Sequence, residues 1–68
     1  MPRYYVNNQA QANGDHEVHK EGCFYLQFVI SKTDLGYHDT CETAIIAARR
    51  IYHKADGCKV CSEDCHHS

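Results

Sequence analysis

The pattern of apolar and polar positions predicts one helix over about residues 40–55. Apolar side chains recur there with the spacing of a single helix face, at Cys41, Ala44, Ile45, Ala48, Ile51, Tyr52 and Ala55. Asp39 and Glu42 are spaced as in a capping box, with Thr40 as a competing N-cap, and Gly57 suits the left-handed position that ends many helices. Because only one face is apolar, we expect the helix to pack on a sheet.

Short β-prone segments precede this helix. Residues 3–7 form one, and residues 15–19 form a second after the turn dipeptide Asn13-Gly14. Residues 24–30 carry strand-type side chains, although a short helical turn at their start is an alternative, and residues 35–38 are a further extended piece. The predicted fold class is α+β, with a two- or three-stranded antiparallel sheet packed on one helix.

The length and composition indicate that this fold needs a cross-link. With 68 residues the chain is a single domain, and cores below about 70–80 residues rarely stabilise a fold alone. Five cysteines and six histidines are available for a disulfide or a metal site. The odd cysteine count and the absence of an apolar leader favour a reducing, cytoplasmic setting and a metal, with disulfides as the alternative. We predict no membrane span, because residues 23–30 are too short for one.

Two cysteine and histidine motifs predict where the metal binds. Cys58 and Cys61 form a C-x-x-C motif directly after a glycine, which is typical of a metal-binding turn whose backbone amides face the sulfurs. His19 and Cys23 form an H-x3-C motif in a glycine-containing turn and can supply the other two ligands. Structural zinc binds four such nitrogen and sulfur ligands in a closed tetrahedron, so we predict one structural Zn²⁺ at these four residues.

Other ligand sets are compatible with the spacing. Cys65 and His66 follow Cys61 closely, and either could take part in the site as an alternative to His19. A chain without metal is the remaining alternative. We do not expect His16 to join the site, because residues three apart on a strand point to opposite faces.

These motifs, in this order, resemble the metal-binding domain family of the Ada DNA-repair protein and its stand-alone relatives. The resemblance covers about residues 3–62 and leaves 63–68 as a tail. It rests on the pieces His19-Lys20-Glu21-Gly22-Cys23-Phe24-Tyr25-Leu26, Leu35-Gly36-Tyr37, Cys41-Glu42-Thr43-Ala44 and Gly57-Cys58-Lys59-Val60-Cys61. It implies the same small zinc-binding fold and the same four ligands, His19, Cys23, Cys58 and Cys61.

One departure limits what the resemblance implies about chemistry. In the repair protein all four ligands are cysteines, and the first of them accepts a methyl group from a DNA phosphotriester. His19 stands at that position here, and an imidazole cannot perform this thiolate chemistry in the same way. The resemblance therefore implies a scaffold and a metal site without methyl transfer.

The remaining candidates have simpler interpretations. We interpret Cys41, on the first helical turn, as a small buried apolar residue, with a reactive thiolate at a helix N-terminus as the alternative. One basic cluster could form a phosphate- or partner-binding patch, or a solvated helix end: Arg49, Arg50, Lys54 and Lys59.

The predicted function is that of a non-enzymatic, zinc-stabilised binding module. The sequence holds none of the common catalytic motifs, and four protein ligands on one zinc leave no position for a substrate, so we predict no small-molecule substrate. A net charge of −2 favours a protein partner over nucleic acid. The alternative is a redox or alkylation sensor that uses Cys58-x-x-Cys61.

Overall fold

A computed structural model describes residues 1–67 and confirms the α+β class. Four strands form one sheet in the order β3-β1-β2-β4: β1 is Arg3–Asn7, β2 is His16–Lys20, β3 is Lys32–Tyr37 and β4 is Ala55–Gly57. A single α-helix, α1, spans Cys41–Arg49. Two 3₁₀ turns, at Phe24–Phe28 and Glu63–Cys65, follow β2 and the C-x-x-C motif.

The sheet has one more strand than predicted, and its strands are not all antiparallel. β1 pairs antiparallel with both β2 and β3, whereas β4 pairs parallel with β2. β4 has only three residues, and Asp56 and Gly57 are residue types that are rare in strands. The sequence analysis predicted the end of the helix here, whereas tertiary pairing with β2 makes the segment a strand.

The core lies between the helix and one face of the sheet. Strand alternation brings Tyr4 and Val6 from β1, and Val18 from β2, to this face. Ala44 and Ala48 of α1 are fully buried against them, because their small side chains let the helix approach the sheet closely. Few large side chains are buried, so the hydrophobic core alone provides limited stability for a chain of this size.

The helix is shorter than predicted and ends at Arg49 instead of residue 55. Apolar residues continue at helical spacing beyond Arg49, but none of them lies on a continued helix face. Ile51 is 51% exposed, Tyr52 stacks on His16 with ring centroids 3.8 Å apart, and Ala55 is buried in β4. The apolar spacing could not distinguish further helical turns after Arg49 from a loop that returns the chain to the sheet.

Gly57 was predicted to end the helix in a left-handed conformation, and this prediction is wrong. Gly57 lies in β4, and the glycines with positive φ among the residues described are Gly14, Gly22 and Gly36. Glycine is needed at 57 for space: a Cβ atom would lie 2.7 Å from the carbonyl oxygen of Ser62 and 2.8 Å from Cβ of Cys65. The segment after the C-x-x-C motif therefore folds back directly onto β4.

This close approach predicts a large cost for Gly57→Ala. We expect a loss of about 2–3 kcal/mol in the free energy of unfolding, because backbone atoms of the C-terminal segment have to move. Urea unfolding measures this loss. Gly36→Ala is the control, since a Cβ there meets no atom within 4 Å and only the positive φ of 83° is strained, at about 1 kcal/mol. A cost at Gly57 no larger than at Gly36 would contradict the packing described here.

Candidate metal centre

The structure brings His19, Cys23, Cys58 and Cys61 together in one cluster. Their ligand atoms all lie within 4.8 Å of one another, so the cluster could hold a metal ion. His19 and Cys58 are buried, whereas Cys23 and Cys61 are partly buried. These are the four residues that the two sequence motifs predicted.

Pairing between β2 and β4 positions one residue from each motif. Val18 pairs with Gly57, and the backbone N–H of Cys58 donates to the carbonyl oxygen of Val18 at 2.9 Å. His19, the next residue of β2, and Cys58, which directly follows β4, therefore lie side by side. Alternation along β2 directs Val18 to the helix side and His19 to the opposite face of the sheet.

Turns supply the other two ligands. Cys23 follows the turn at the end of β2, where Gly22 has a φ of 85° and the Cys23 N–H donates to the carbonyl oxygen of Lys20. The C-x-x-C turn is closed by the Ser62 N–H, which donates to the carbonyl oxygen of Cys58 at 2.9 Å. Both turns are short, so the ligand positions are set by local backbone geometry.

Within the cluster, the imidazole faces the sulfurs through Nδ1. This atom lies 3.6 Å from Sγ of Cys23 and 3.8 Å from Sγ of Cys61, and the sulfurs of Cys23 and Cys58 are 3.9 Å apart. Nε2 lies on the other side of the ring, 3.3 Å from a carboxylate oxygen of Glu17. A proton on Nε2 therefore leaves the Nδ1 lone pair directed at the cluster.

The surroundings of His19, Cys58 and Cys61 favour a neutral histidine and two uncharged thiols when no cation is bound. Burial lowers the pKa of His19, and the nearby carboxylate of Glu17 opposes this only in part. Burial raises the pKa of Cys58, against the backbone amides of Cys61 and Val60 that stabilise its thiolate. Burial and the neighbouring sulfurs raise the pKa of Cys61 to about 12.

Backbone N–H groups nevertheless point at the sulfurs, as a metal-bound thiolate requires. The Lys20 N–H lies 3.3 Å from Sγ of Cys61, and the Ser62 hydroxyl is 3.9 Å from the same sulfur. The backbone amides of Cys61 and Val60 donate in the same way to the sulfur of Cys58. These donors can stabilise the negative charge of the thiolates when a cation is bound. The donor set therefore suits a cation bound by sulfur and nitrogen.

Cys41 and Cys65 form a disulfide, which the sequence analysis did not assign. Their Cα atoms are 6.2 Å apart, and the bond links the first residue of α1 to the end of the second 3₁₀ turn. The interpretation of Cys41 as an unpaired buried residue is therefore wrong, although its burial is confirmed. The cysteine count could have predicted this bond: three of the five cysteines belong to the cluster, and the remaining two can pair with each other.

The alternative ligands Cys65 and His66 lie outside the cluster. The sulfur of Cys65 is bonded to Cys41. His66 directs Nδ1 to the carbonyl oxygen of Gly57 at 3.0 Å and to the carboxylate of Asp56 at 3.3 Å. His16, which we did not expect in the site, stacks on Tyr52 instead.

The four basic residues of the predicted patch do not share one surface hollow. Arg49 and Lys54 line one hollow, together with the acidic Asp15 and Asp56. Arg50 lines a second hollow beside His38, and Lys59 lines a third beside the metal cluster.

Comparisons with models of known protein families, with curated proteins and with solved structures each returned no match. The resemblance to the Ada metal-binding family therefore remains a prediction from the sequence pattern. Among residues 1–67, no helix has the length and apolar character needed to cross a membrane.

Glu17 was missed by the sequence analysis, and its contact with His19 predicts a measurable effect. Carboxylates that accept a hydrogen bond from a metal-bound histidine orient the ring and raise its basicity, and their loss commonly weakens metal binding by about 10–100-fold. We expect Glu17→Gln to weaken Zn²⁺ binding by about tenfold in a competition titration with a chelating dye.

Glu63→Gln is the matched control, because it removes an exposed carboxylate outside the cluster. We expect this variant to bind Zn²⁺ like the wild type. Equal affinities for the wild type and Glu17→Gln would show that the carboxylate does not support the ligand.

Proposed function

We propose that the chain is a small zinc-binding domain in which one structural Zn²⁺ joins the turn after β2 to the turn after β4. The separations between the ligand atoms carry this proposal. Two sulfurs at about 2.3 Å from a tetrahedral zinc lie about 3.8 Å apart, and a sulfur and an imidazole nitrogen lie about 3.6 Å apart. Three of the six separations among the four ligand atoms are close to these values, at 3.9 Å between Cys23 and Cys58 and at 3.6 and 3.8 Å from His19 to Cys23 and Cys61, and all six are within 4.8 Å.

The identity of the donors supports zinc and a structural role. Three thiolates and one imidazole form a common structural zinc site, whereas Mg²⁺ and Ca²⁺ prefer oxygen ligands. Catalytic zinc sites instead keep one position for water or substrate. Four protein ligands in a closed cluster therefore favour a non-enzymatic role, in which the bound ion stabilises the fold.

Removal of one ligand tests this proposal. We expect wild-type protein from zinc-replete cells to carry one zinc in native mass spectrometry, and His19→Ala to lose it, because three remaining ligands no longer close the tetrahedron. His53→Ala is the control, since this exposed histidine lies outside the cluster.

Two results would contradict the zinc proposal. One is zinc retention by His19→Ala. The other is metal-free wild-type protein that stays folded in chelator with a disulfide between Cys58 and Cys61, which would favour the redox alternative.

We further propose that the zinc-stabilised domain binds a protein partner. Three aromatic side chains beside the metal-binding turn pack against each other and remain exposed: Phe24 (62%), Tyr25 (45%) and Phe28 (64%). Val60, between the cysteines of the C-x-x-C motif, is 59% exposed and lines a hollow with Tyr25. Contiguous apolar surface of this kind is typical of protein-binding sites.

The distribution of charge supports a protein partner over nucleic acid. The chain has a net charge of −2, and no surface hollow described above is lined by more than two of the four basic residues Arg49, Arg50, Lys54 and Lys59. Arg49 and Lys54 also donate to backbone carbonyl oxygens, of Ala55 and Asn13 respectively. Binding to phosphates requires several clustered cations, which this arrangement does not favour.

A retention assay separates the two partner classes. We expect the zinc-loaded protein to pass through a column of immobilised double-stranded DNA without retention at about 50 mM salt, because few counterions would be released. A basic DNA-binding domain of similar size serves as the positive control. Retention that weakens steeply as the salt concentration rises would favour nucleic acid as the partner.

A further inference from the structure

We propose that the disulfide between Cys41 and Cys65 regulates the metal site, so that its reduction weakens zinc binding. This inference rests on the proposed function, because it requires that the cluster binds zinc. The inference is based on the position of Cys65. This half of the disulfide follows the C-x-x-C motif in the same segment, and only three residues separate it from the ligand Cys61.

A short chain of contacts connects the disulfide to the ligands. The Cys65 N–H donates to the carbonyl oxygen of Ser62, and the Ser62 N–H donates to the carbonyl oxygen of Cys58, both at 2.9 Å. Ser62 is 3% exposed and Cys65 is 4% exposed. A shift of Cys65 would therefore be transmitted through Ser62 to the backbone that positions Cys58 and Cys61.

The disulfide fixes this segment to two elements at once. Through Cys41 it holds Cys65 at the start of α1, and it keeps Cys65 packed on the backbone of Gly57 in β4. A bound conformation that is already ordered costs less entropy when the ligand binds. The oxidised chain therefore presents Cys58 and Cys61 in a more ordered arrangement than the reduced chain.

A second anchor limits the size of the effect. The carboxylate of Asp56 accepts hydrogen bonds from the backbone N–H of His67 at 3.0 and 3.2 Å and lies 3.3 Å from Nδ1 of His66. These contacts do not involve the disulfide, so we expect the C-terminal segment to loosen without detaching when the disulfide is reduced. We therefore expect a partial loss of zinc affinity of about tenfold, within the usual range of coupling between two sites.

Each cysteine of the disulfide lines a hollow of the surface, although both residues are buried, with exposed fractions of 8% for Cys41 and 4% for Cys65. Cys41 lines a hollow between the start of α1 and the C-x-x-C turn, and Cys61 lines the same hollow. Cys65 lines a neighbouring hollow with Ile45 and Asp64. These two hollows are therefore the routes by which we expect a reductant to reach the disulfide.

Reduction by a dithiol proceeds in two exchange steps. A thiolate of the reductant attacks one sulfur of the disulfide, the bond between Cys41 and Cys65 breaks, and the other cysteine leaves as a thiolate. The second thiol of the reductant then attacks the mixed disulfide and releases the remaining cysteine. Two electrons pass to the protein, both cysteines take up a proton at neutral pH, and the reductant becomes its own disulfide.

The test compares Zn²⁺ affinity in the two redox states of the full chain. Wild-type protein is titrated against a zinc-chelating dye, once oxidised and once reduced by a phosphine, with peptide mapping to verify the state of Cys41 and Cys65. We expect the affinity to fall about tenfold on reduction, and the double variant Cys41→Ser/Cys65→Ser to match the reduced wild type in both conditions.

Tyr52→Phe controls for a general loss of stability. It removes only the hydroxyl group that donates to Asn8 at 2.9 Å, and Tyr52 belongs neither to the disulfide nor to the four-residue cluster. We expect this variant to keep the wild-type affinity and its dependence on reduction. Should the double variant fail to fold, the comparison of oxidised and reduced wild type decides alone.

A reciprocal measurement uses a different readout. If reduction weakens zinc binding tenfold, bound zinc must make the disulfide harder to reduce by the same factor, which corresponds to about 30 mV for a two-electron couple. Alkylation and peptide mapping of Cys41 and Cys65 in glutathione buffers, with and without Zn²⁺, measures this shift.

The outcomes separate the two proposals. Equal zinc affinities in both redox states, or the same reduction midpoint with and without zinc, would overturn the regulation proposed here and leave the zinc site standing. Failure of the oxidised wild type to bind zinc would overturn the proposed function and this inference with it.

Discussion

Parallel pairing between β2 and the short strand β4 is the interaction on which the metal cluster depends. The two strands are far apart in the sequence, and they meet through the register His16–Ala55, Glu17–Asp56 and Val18–Gly57. This register places His19 next to Cys58, so that a ligand from each half of the chain faces the same point. A shift of one residue would turn His19 away from the sulfurs, because side chains alternate between the faces of a strand.

The hydrophobic core is small even for a chain of this length, and the disulfide links two of its residues. Val6, Val18, Ala44 and Ala48 are fully buried, but only two of them are larger than alanine. The metal cluster lies at the end of β2 and β4, whereas the disulfide joins the helix to the C-terminal turn. Both involve the segment from Cys58 to Cys65, and this segment is therefore where the stability of the fold and the geometry of the site are most closely connected.

The sequence predicted the parts of this structure that depend on local spacing. Residues 3–7 form a strand as predicted, and the H-x3-C and C-x-x-C motifs supply all four members of the cluster. Spacing within a motif is fixed by turns of a few residues, so such predictions do not require knowledge of the tertiary fold.

The parts that were missed depend on contacts between distant residues. Ala55 continues the apolar spacing of the helix but is buried in a strand, because β2 pairs with it. The disulfide between Cys41 and Cys65 spans 24 positions, and no short motif marks it. Glu17 contacts His19 because it lies two residues earlier on the same strand. Nothing in the sequence distinguishes this carboxylate from any other polar residue on a strand.

The central claim is that three sulfurs and one nitrogen bind a single zinc ion. X-ray absorption spectroscopy at the zinc edge of the purified, zinc-loaded chain measures this ligand set directly. We predict a shell of three sulfurs at about 2.3 Å and one imidazole nitrogen at about 2.0–2.1 Å. A shell of four sulfurs, or one dominated by oxygen and nitrogen, would contradict the account.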